Sequence, residues 1–246
     1  MSELFSNQSS IYKTYRPQYP QELYDFLIKN VRHTDLALDC GSGNGQVAWK
    51  LVEYFDQVIA VDASREQIEQ ADHHEKITFR NADASDTGCE DSSVDLLTAA
   101  QSLHWFNLDK FYKEAHRVLK PGGLLACWGY GLCSVSEHID PLIRSFYDDV
   151  IGPFWPRQRI HIEQRYNGLR FPYHQLNTPD FIMKKSWRLD QFLGYLRSWS
   201  STNRFIQYKG YDPVRTLAVR LKRQWGNTDD ERIISWPVFM KAGYKE

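Results

Sequence analysis

The chain has 246 residues, 42% of them hydrophobic and 25% charged, with a formal net charge of -1. That length supports one large α/β domain with an elaboration, or two small domains, and the composition is ordinary for a soluble globular enzyme. The balanced charge excludes a global field that would draw the chain to nucleic acid or to an anionic membrane.

Met1 to Ser10 is polar and lacks an apolar centre, so no signal peptide and a cytoplasmic location are expected. The longest apolar stretch, Leu124 to Cys133, is interrupted by glycine and falls short of a membrane span of about 20 residues. Cys40, Cys89, Cys127 and Cys133 show no paired metal spacing and read as reduced, mostly buried thiols. There is no His-Glu-x-x-His stretch, His73-His74 reads as the end of a surface helix, and no metal is expected.

The first half alternates strand and helix signals. Gln21 to Val31 reads as an opening helix, Leu36 to Cys40 as a strand, Val47 to Tyr54 as a helix and Gln57 to Val61 as a strand ending at Asp62. Ser64 to His73 reads as a helix with a Ser64–Gln67 capping box. Strands are predicted at Lys76–Arg80, Val94–Ala99 and Leu124–Trp128, with a helix over Leu108–Leu119 stopped by Lys120-Pro121-Gly122-Gly123. This alternation implies a parallel sheet covered by helices on both faces.

Beyond Ser134 the texture changes. Helical periodicity rich in aromatics and arginine runs to about Arg170, Phe181–Leu189 alternates like a strand, Asp190–Ser200 and Asp212–Trp225 read as helices, and Arg232–Ala242 reads as a closing strand. Pro237 marks that strand as an edge or a bulge. The expected segments are 1–34, an N-terminal helix and lid; 35–133, a ligand-binding core; 134–178, a helical insertion capping the substrate; and 179–246, completing the sheet.

The most informative segment is Leu36-Ala37-Leu38-Asp39-Cys40-Gly41-Ser42-Gly43-Asn44-Gly45-Gln46, an apolar strand, an acid, then glycine at every second position before a helix. Glycine lets backbone approach a ligand closely, and the helix start favours an anionic group. Dinucleotides and S-adenosylmethionine both use such a turn. The dinucleotide pattern Gly-x-Gly-x-x-Gly fails at Gln46. Asp62, 17 residues after Gly45, is placed to accept both hydroxyls of a ribose, or else to cap the next helix. In Asn81-Ala82-Asp83-Ala84, Asp83 is placed for the exocyclic amine of adenine and Ala84 for its ring; the alternative is a solvated Asx turn.

At these residues the chain resembles the class I S-adenosylmethionine-dependent methyltransferases. Leu38-Asp39-Cys40-Gly41-Ser42-Gly43-Asn44-Gly45 is similar to their first motif, and Val61-Asp62-Ala63-Ser64, Asn81-Ala82-Asp83-Ala84 and Arg117-Val118-Leu119-Lys120-Pro121-Gly122-Gly123 are similar to later ones, in order. The resemblance implies a doubly wound, Rossmann-like α/β fold: a mostly parallel seven-stranded sheet whose last strand is antiparallel. Tyr15-Arg16-Pro17-Gln18-Tyr19-Pro20, Leu103-His104-Trp105-Phe106 and Tyr195-Leu196-Arg197-Ser198-Trp199-Ser200 resemble the small-molecule branch that includes trans-aconitate methyltransferase. It implies methyl transfer to a small molecule, a carboxylic acid among the acceptors, with Tyr12, Tyr15 and Arg16 as a lid. A dinucleotide-dependent oxidoreductase, a macromolecule methyltransferase and a non-catalytic S-adenosylmethionine-binding protein are the rivals.

The expected cofactor contacts are Tyr15, Arg16, Asp39, Gly41, Ser42, Gly43, Gly45, Asp62, Ala63, Asp83, Ala84 and Gln101. His104, just past the fourth strand, is the candidate catalytic residue, as a base or as an orienting group, against the alternative of a structural hydrogen bond beside Trp105-Phe106. Trp155, Arg157, Arg159, Arg165, Tyr166 and Arg170 in the insertion suit an anionic substrate, although a solvated helix face over an aromatic core accounts for most of them.

Overall fold

The computed structural model describes residues 17–246, so the expected contacts from Tyr12, Tyr15 and Arg16 lie outside the described residues. The short apolar runs of the first half become buried strands. Helix α1 (Gln21–Asn30) leads into β1 (Leu36–Cys40), α2 (Gln46–Leu51), β2 (Gln57–Asp62), α3 (Arg65–Glu69), β3 (Ile77–Asn81), β4 (Val94–Ala100), α4 (Leu108–Val118) and β5 (Leu119–Tyr130). After these come α5 (Asp140–Ser145), α6 (Arg159–Glu163), β6 (His174–Gln175), β7 (Phe181–Trp187), α7 (Leu189–Arg197), α8 (Ser200–Lys209), α9 (Val214–Trp225) and β8 (Arg232–Tyr244).

The strands form one sheet in the order β3-β2-β1-β4-β5-β8-β6, with β7 also paired to β8. Strands β1 to β5 are parallel, and β8 runs antiparallel to both β5 and β6. This is the expected doubly wound Rossmann-like sheet with an antiparallel last strand; the two-residue β6 makes an eighth strand too short to leave a sequence signal. Strand order reverses between β1 and β4, and a ligand cleft in an open α/β sheet lies at the carboxyl ends of the strands at that point.

Two compact units can be distinguished. The sheet unit comprises Pro20–Gly131, Ile160–Phe181 and Val238–Glu246. Its core joins Leu38, Val61, Leu97 and Leu125 from the strands to Phe111, Ala115 and Val118 from α4, and to Ile162, Tyr166, Phe171 and Phe239. Helix α4 forms because Asn107 caps it, accepting the Lys110 amide at 3.3 Å, and because an apolar stripe recurs at helical spacing.

The other unit comprises Leu132–Arg159 and Ile182–Pro237, with residues 17–19. Its centre is aromatic. Trp187 and Trp236 pack edge-on at 5.5 Å, Phe192 stacks on Trp225 at 5.8 Å, and Trp236 Nε1 donates to Tyr195 Oη at 2.8 Å. Most of the tryptophans after residue 120 are thus core.

Several boundaries differ from expectation. Strand β5 begins at Leu119, immediately after α4, and pairs there with Val94 before its register jumps to Leu124 opposite Leu96. The helix does stop before Lys120-Pro121-Gly122-Gly123, and these residues form the bulge within β5, where Gly122 turns at φ +74° and Lys120 is tied to Asp35 and Asp95 at 2.8 and 2.7 Å. Helix α7 starts at Leu189, a residue ahead of expectation, with its cap at Arg188, the Gln191 carboxamide oxygen accepting the Arg188 amide at 3.0 Å. Asp190 falls in the first turn, where its charge suits the helix dipole. Helix α8 is an addition; it ends at left-handed Gly210 (φ +78°), a glycine stop overlooked in the sequence. The insertion is less regular than its periodicity suggests: five residues, Phe146–Val150, form a wide π turn after α5.

Candidate active site

The turn after β1 has three glycines with positive φ: Gly41 (+67°), Gly43 (+56°) and Gly45 (+94°). Space, as well as conformation, demands glycine at two of them. A Cβ on Gly41 would lie 2.5 Å from Ser102 Cβ, and one on Gly45 would lie 2.7 Å from the Phe79 ring. The turn is fastened to the next strand, since Gly41 and Ser42 both donate to the Val61 carbonyl, at 2.8 and 3.0 Å.

Asp62 ends β2. Its Oδ2 accepts the Gly43 amide and its Oδ1 the Ser64 amide, each at 2.8 Å. An ionised carboxylate has about four lone-pair sites, so two remain after these bonds. Asp62 therefore organises the turns on either side of it and retains acceptor capacity, but it does not cap α3. Ser64 still caps α3, its hydroxyl accepting the Gln67 amide at 3.3 Å. Asn81 pins the Asp62–Ala63 backbone by donating to both carbonyls at 3.0 Å. Asp83 accepts the Ser85 hydroxyl and amide, which hold its carboxyl below the usual carboxylate range, and Ala84 is buried beside it.

At the carboxyl end of β4, Gln101 adopts φ +53°, a left-handed conformation uncommon for a side-chain-bearing residue. Its side chain donates to the Tyr130 carbonyl at 3.2 Å and its amide to the Trp128 carbonyl at 2.8 Å. Ser102 donates to the Cys40 carbonyl at 2.8 Å and so joins the ends of β1 and β4. His104 lies in the following 3-10 turn, half-buried, with Nδ1 3.1 Å from Tyr166 Oη. The sequence had singled out both residues but gave no sign that they meet, because they are 62 positions apart. Ser102 and Thr98 were missed altogether; small hydroxyls in an apolar strand carry no distinctive signal.

Asp39 is buried, its Oδ1 accepting the Thr98 hydroxyl at 2.7 Å, while Oδ2 has no hydrogen-bond partner. Burial pushes its carboxyl up to about 7; the Thr98 hydroxyl opposes the rise, the negative charge of Asp62 adds to it, and the Ala48 amide opposes it from outside hydrogen-bonding geometry.

Comparison with known proteins identifies the chemistry. The methyltransferase-domain family matches residues 38–127. Over 98% of this chain and 95% of the other, the sequence is 32% identical to a Dictyostelium discoideum protein described as a methyltransferase. It is also 30% identical, over 78% of this chain and 79% of the other, to a Saccharomyces cerevisiae protein described as an S-adenosylmethionine-dependent methyltransferase. A solved structure described as a type II methyltransferase from Anaeromyxobacter dehalogenans matches with a TM-score of 0.88 at 38% identity, over 94% of this chain and 98% of that one. The chain belongs to the S-adenosylmethionine-dependent methyltransferases.

The cofactor of this class I methyltransferase is S-adenosylmethionine, and the oxidoreductase alternative is set aside. The cleft fits that cofactor on its own observations. The glycine turn keeps its backbone clear of side chains at the carboxyl end of β1, Asp62 keeps acceptor sites beside it, and Asp39 carries a buried oxygen without a hydrogen-bond partner. Among the described residues no helix is long and apolar enough to cross a membrane, and no group of three or more His, Cys, Asp or Glu side chains could hold a metal.

Proposed function

We propose that this methyltransferase acts in the cytoplasm on a small-molecule acceptor bearing a carboxylate, like the small-molecule branch that includes trans-aconitate methyltransferase. The observation behind this reading is His104 in the sheet unit, half-buried in the turn past β4 with Nδ1 3.1 Å from Tyr166 Oη; an imidazole held at that nitrogen suits orienting a carboxylate by hydrogen bonding, an acceptor that needs no general base. Neither the net charge nor the composition favours a nucleic-acid acceptor.

S-adenosylmethionine supplies an electrophilic methyl group on a sulfonium. The chain's task is to exclude water and align the acceptor. In this reading Gly41, Ser42, Gly43 and Gly45 give close backbone approach. Asp62 and Ala63 take the ribose, Asp83 and Ala84 the adenine and Gln101 the methionine end, while Asp39 supports the turn from below. Tyr15 and Arg16 belong to a lid within 1–34, residues 35–133 are the cofactor core, 134–178 include the substrate cap, and 179–246 complete the sheet. An ionised carboxylate needs no general base, so His104 orients the acceptor.

The test is a panel of carboxylic acids, phenols, amines and RNA incubated with enzyme and methyl-labelled donor, with products identified by mass. Methyl esters of acids are the expected products. Label confined to phenols, amines or RNA overturns the acid reading. Deleting residues 1–19 tests the lid: binding of S-adenosylhomocysteine should weaken, and unchanged binding rejects it.

A further inference from the structure

Two consecutive side-chain-bearing residues after α6, Arg165 (φ +54°) and Tyr166 (φ +59°), adopt left-handed conformations. Glycine or asparagine normally ends a helix this way, and such conformations are strained when other residues adopt them. Surrounding structure enforces this one. The Tyr166 amide donates to the His161 carbonyl at 2.8 Å, and Arg165 is ion-paired with Asp180 and lies 5.9 Å from the Phe239 ring.

The strained turn delivers the Tyr166 side chain into the sheet unit. The residue is fully buried, its ring standing edge-on to Phe239 at 5.1 Å. Space for this packing depends on Gly129 in β5, where a Cβ would lie 2.8 Å from Phe239 and 2.9 Å from Ile162. The phenol thereby comes within 3.1 Å of His104 Nδ1. A phenol, with a pKa of about 10, is a far stronger hydrogen-bond donor than a neutral imidazole N–H, and an imidazole nitrogen is the better acceptor.

We infer that Tyr166 is a positioning residue for methyl transfer: its hydroxyl donates to His104 Nδ1, fixes the ring, and selects the tautomer with the proton on Nε2. The consequence rests on the acceptor role proposed for His104, since an Nε2–H donates a hydrogen bond to an acceptor carboxylate and cannot take a proton from it. His104 is then an orienting donor, and no proton changes owner at this pair during transfer.

The tautomer is read by imidazole 15N NMR of the full-length enzyme with S-adenosylhomocysteine, the His104 signals being assigned with H104Q. The expected wild-type spectrum shows unprotonated Nδ1 and protonated Nε2 at neutral pH, and Y166F, which keeps the ring packing, should show mixed tautomers. A proton on Nδ1 in the wild type overturns the inference whether or not Y166F folds, as do identical tautomer populations in the two proteins. With the best acid acceptor from the panel, Y166F should lower kcat about tenfold, leave the S-adenosylhomocysteine Kd within twofold, and cause no further loss in H104A. An H104A enzyme with unchanged kcat rejects the acceptor role of His104, while the NMR result still decides what Tyr166 does to the ring.

Discussion

The Gly43 amide donates to Asp62 Oδ2 at 2.8 Å, so one carboxylate at the end of β2 holds the glycine turn that follows β1. Asp62 thus shapes the cleft before it binds anything. Hydrogen bonds to a charged group are each worth about 1.5–3 kcal/mol, and 1.4 kcal/mol is tenfold in affinity. D62A is expected to weaken S-adenosylhomocysteine binding about 100-fold by calorimetry. D62N, which keeps an acceptor oxygen, should lose less.

At Gly41 conformation and space act together. A left-handed φ of +67° strains any side chain, and an alanine Cβ would meet Ser102 Cβ at 2.5 Å. G41A should cost about 2 kcal/mol or more in denaturant unfolding and should reduce cofactor affinity. Adding S102G removes the clash but leaves the φ strain, so the double variant should recover only part of the loss.

Much of this cleft could be read from the chain because its parts are local. The strand–glycine–helix segment, the acid closing β2 and the Asn81–Ala84 turn each declare themselves within a dozen residues, and β1 to β4 fall within a residue or so of expectation. Contacts that join distant segments left no such trace. The Tyr166–His104 bond, the Ser102–Cys40 tie and the Lys120 bridge between Asp35 and Asp95 depend on which strands become neighbours. The second half was harder to read because aromatics serve core and pocket alike, and because the short helices around the π turn break any single period.

Asp39 gives a pH signature. Burial raises its carboxyl to about 7 in the native state, against an ordinary value of 3.8. Between those two values the native protein holds a proton that the unfolded chain releases, so this group's contribution to stability declines as pH rises from about 4 to 7 and is level above. D39N cannot titrate and keeps a partner for Thr98. The melting temperature of D39N relative to wild type should climb across that window and then plateau; a difference independent of pH would mean that Asp39 titrates normally.

The role proposed for His104 predicts an effect on turnover rather than on binding. It lies past β4, two residues beyond the Ser102 that packs on Gly41. Misplacing an acceptor costs rate more than it costs cofactor affinity. H104A should reduce kcat about 10- to 100-fold while shifting the S-adenosylhomocysteine Kd less than threefold, and equal losses in both would assign the ring a structural role.

Glu114 should behave in the opposite sense to Asp39. Its Oε1 accepts the Thr87 amide and hydroxyl at 2.8 and 2.7 Å, and Arg117 donates to both carboxylate oxygens at 2.8 Å. Arg117 in turn reaches the Cys89 carbonyl and Asp91, so this network fastens the 84–91 loop onto α4. Burial acts to raise the Glu114 carboxyl, but the bonds from Arg117 and Thr87 outweigh it and hold the group below the usual carboxylate range. Its contribution is therefore present above pH 4.5 and lost as pH falls through the lowered native value. Because Arg117 is partly exposed, solvent screening discounts the pair, and E114Q should cost about 2 kcal/mol at pH 7. That deficit should shrink as pH falls below 4.5 and the wild-type carboxyl also protonates, and a deficit unchanged by acid would show that the Glu114 charge does not hold the loop.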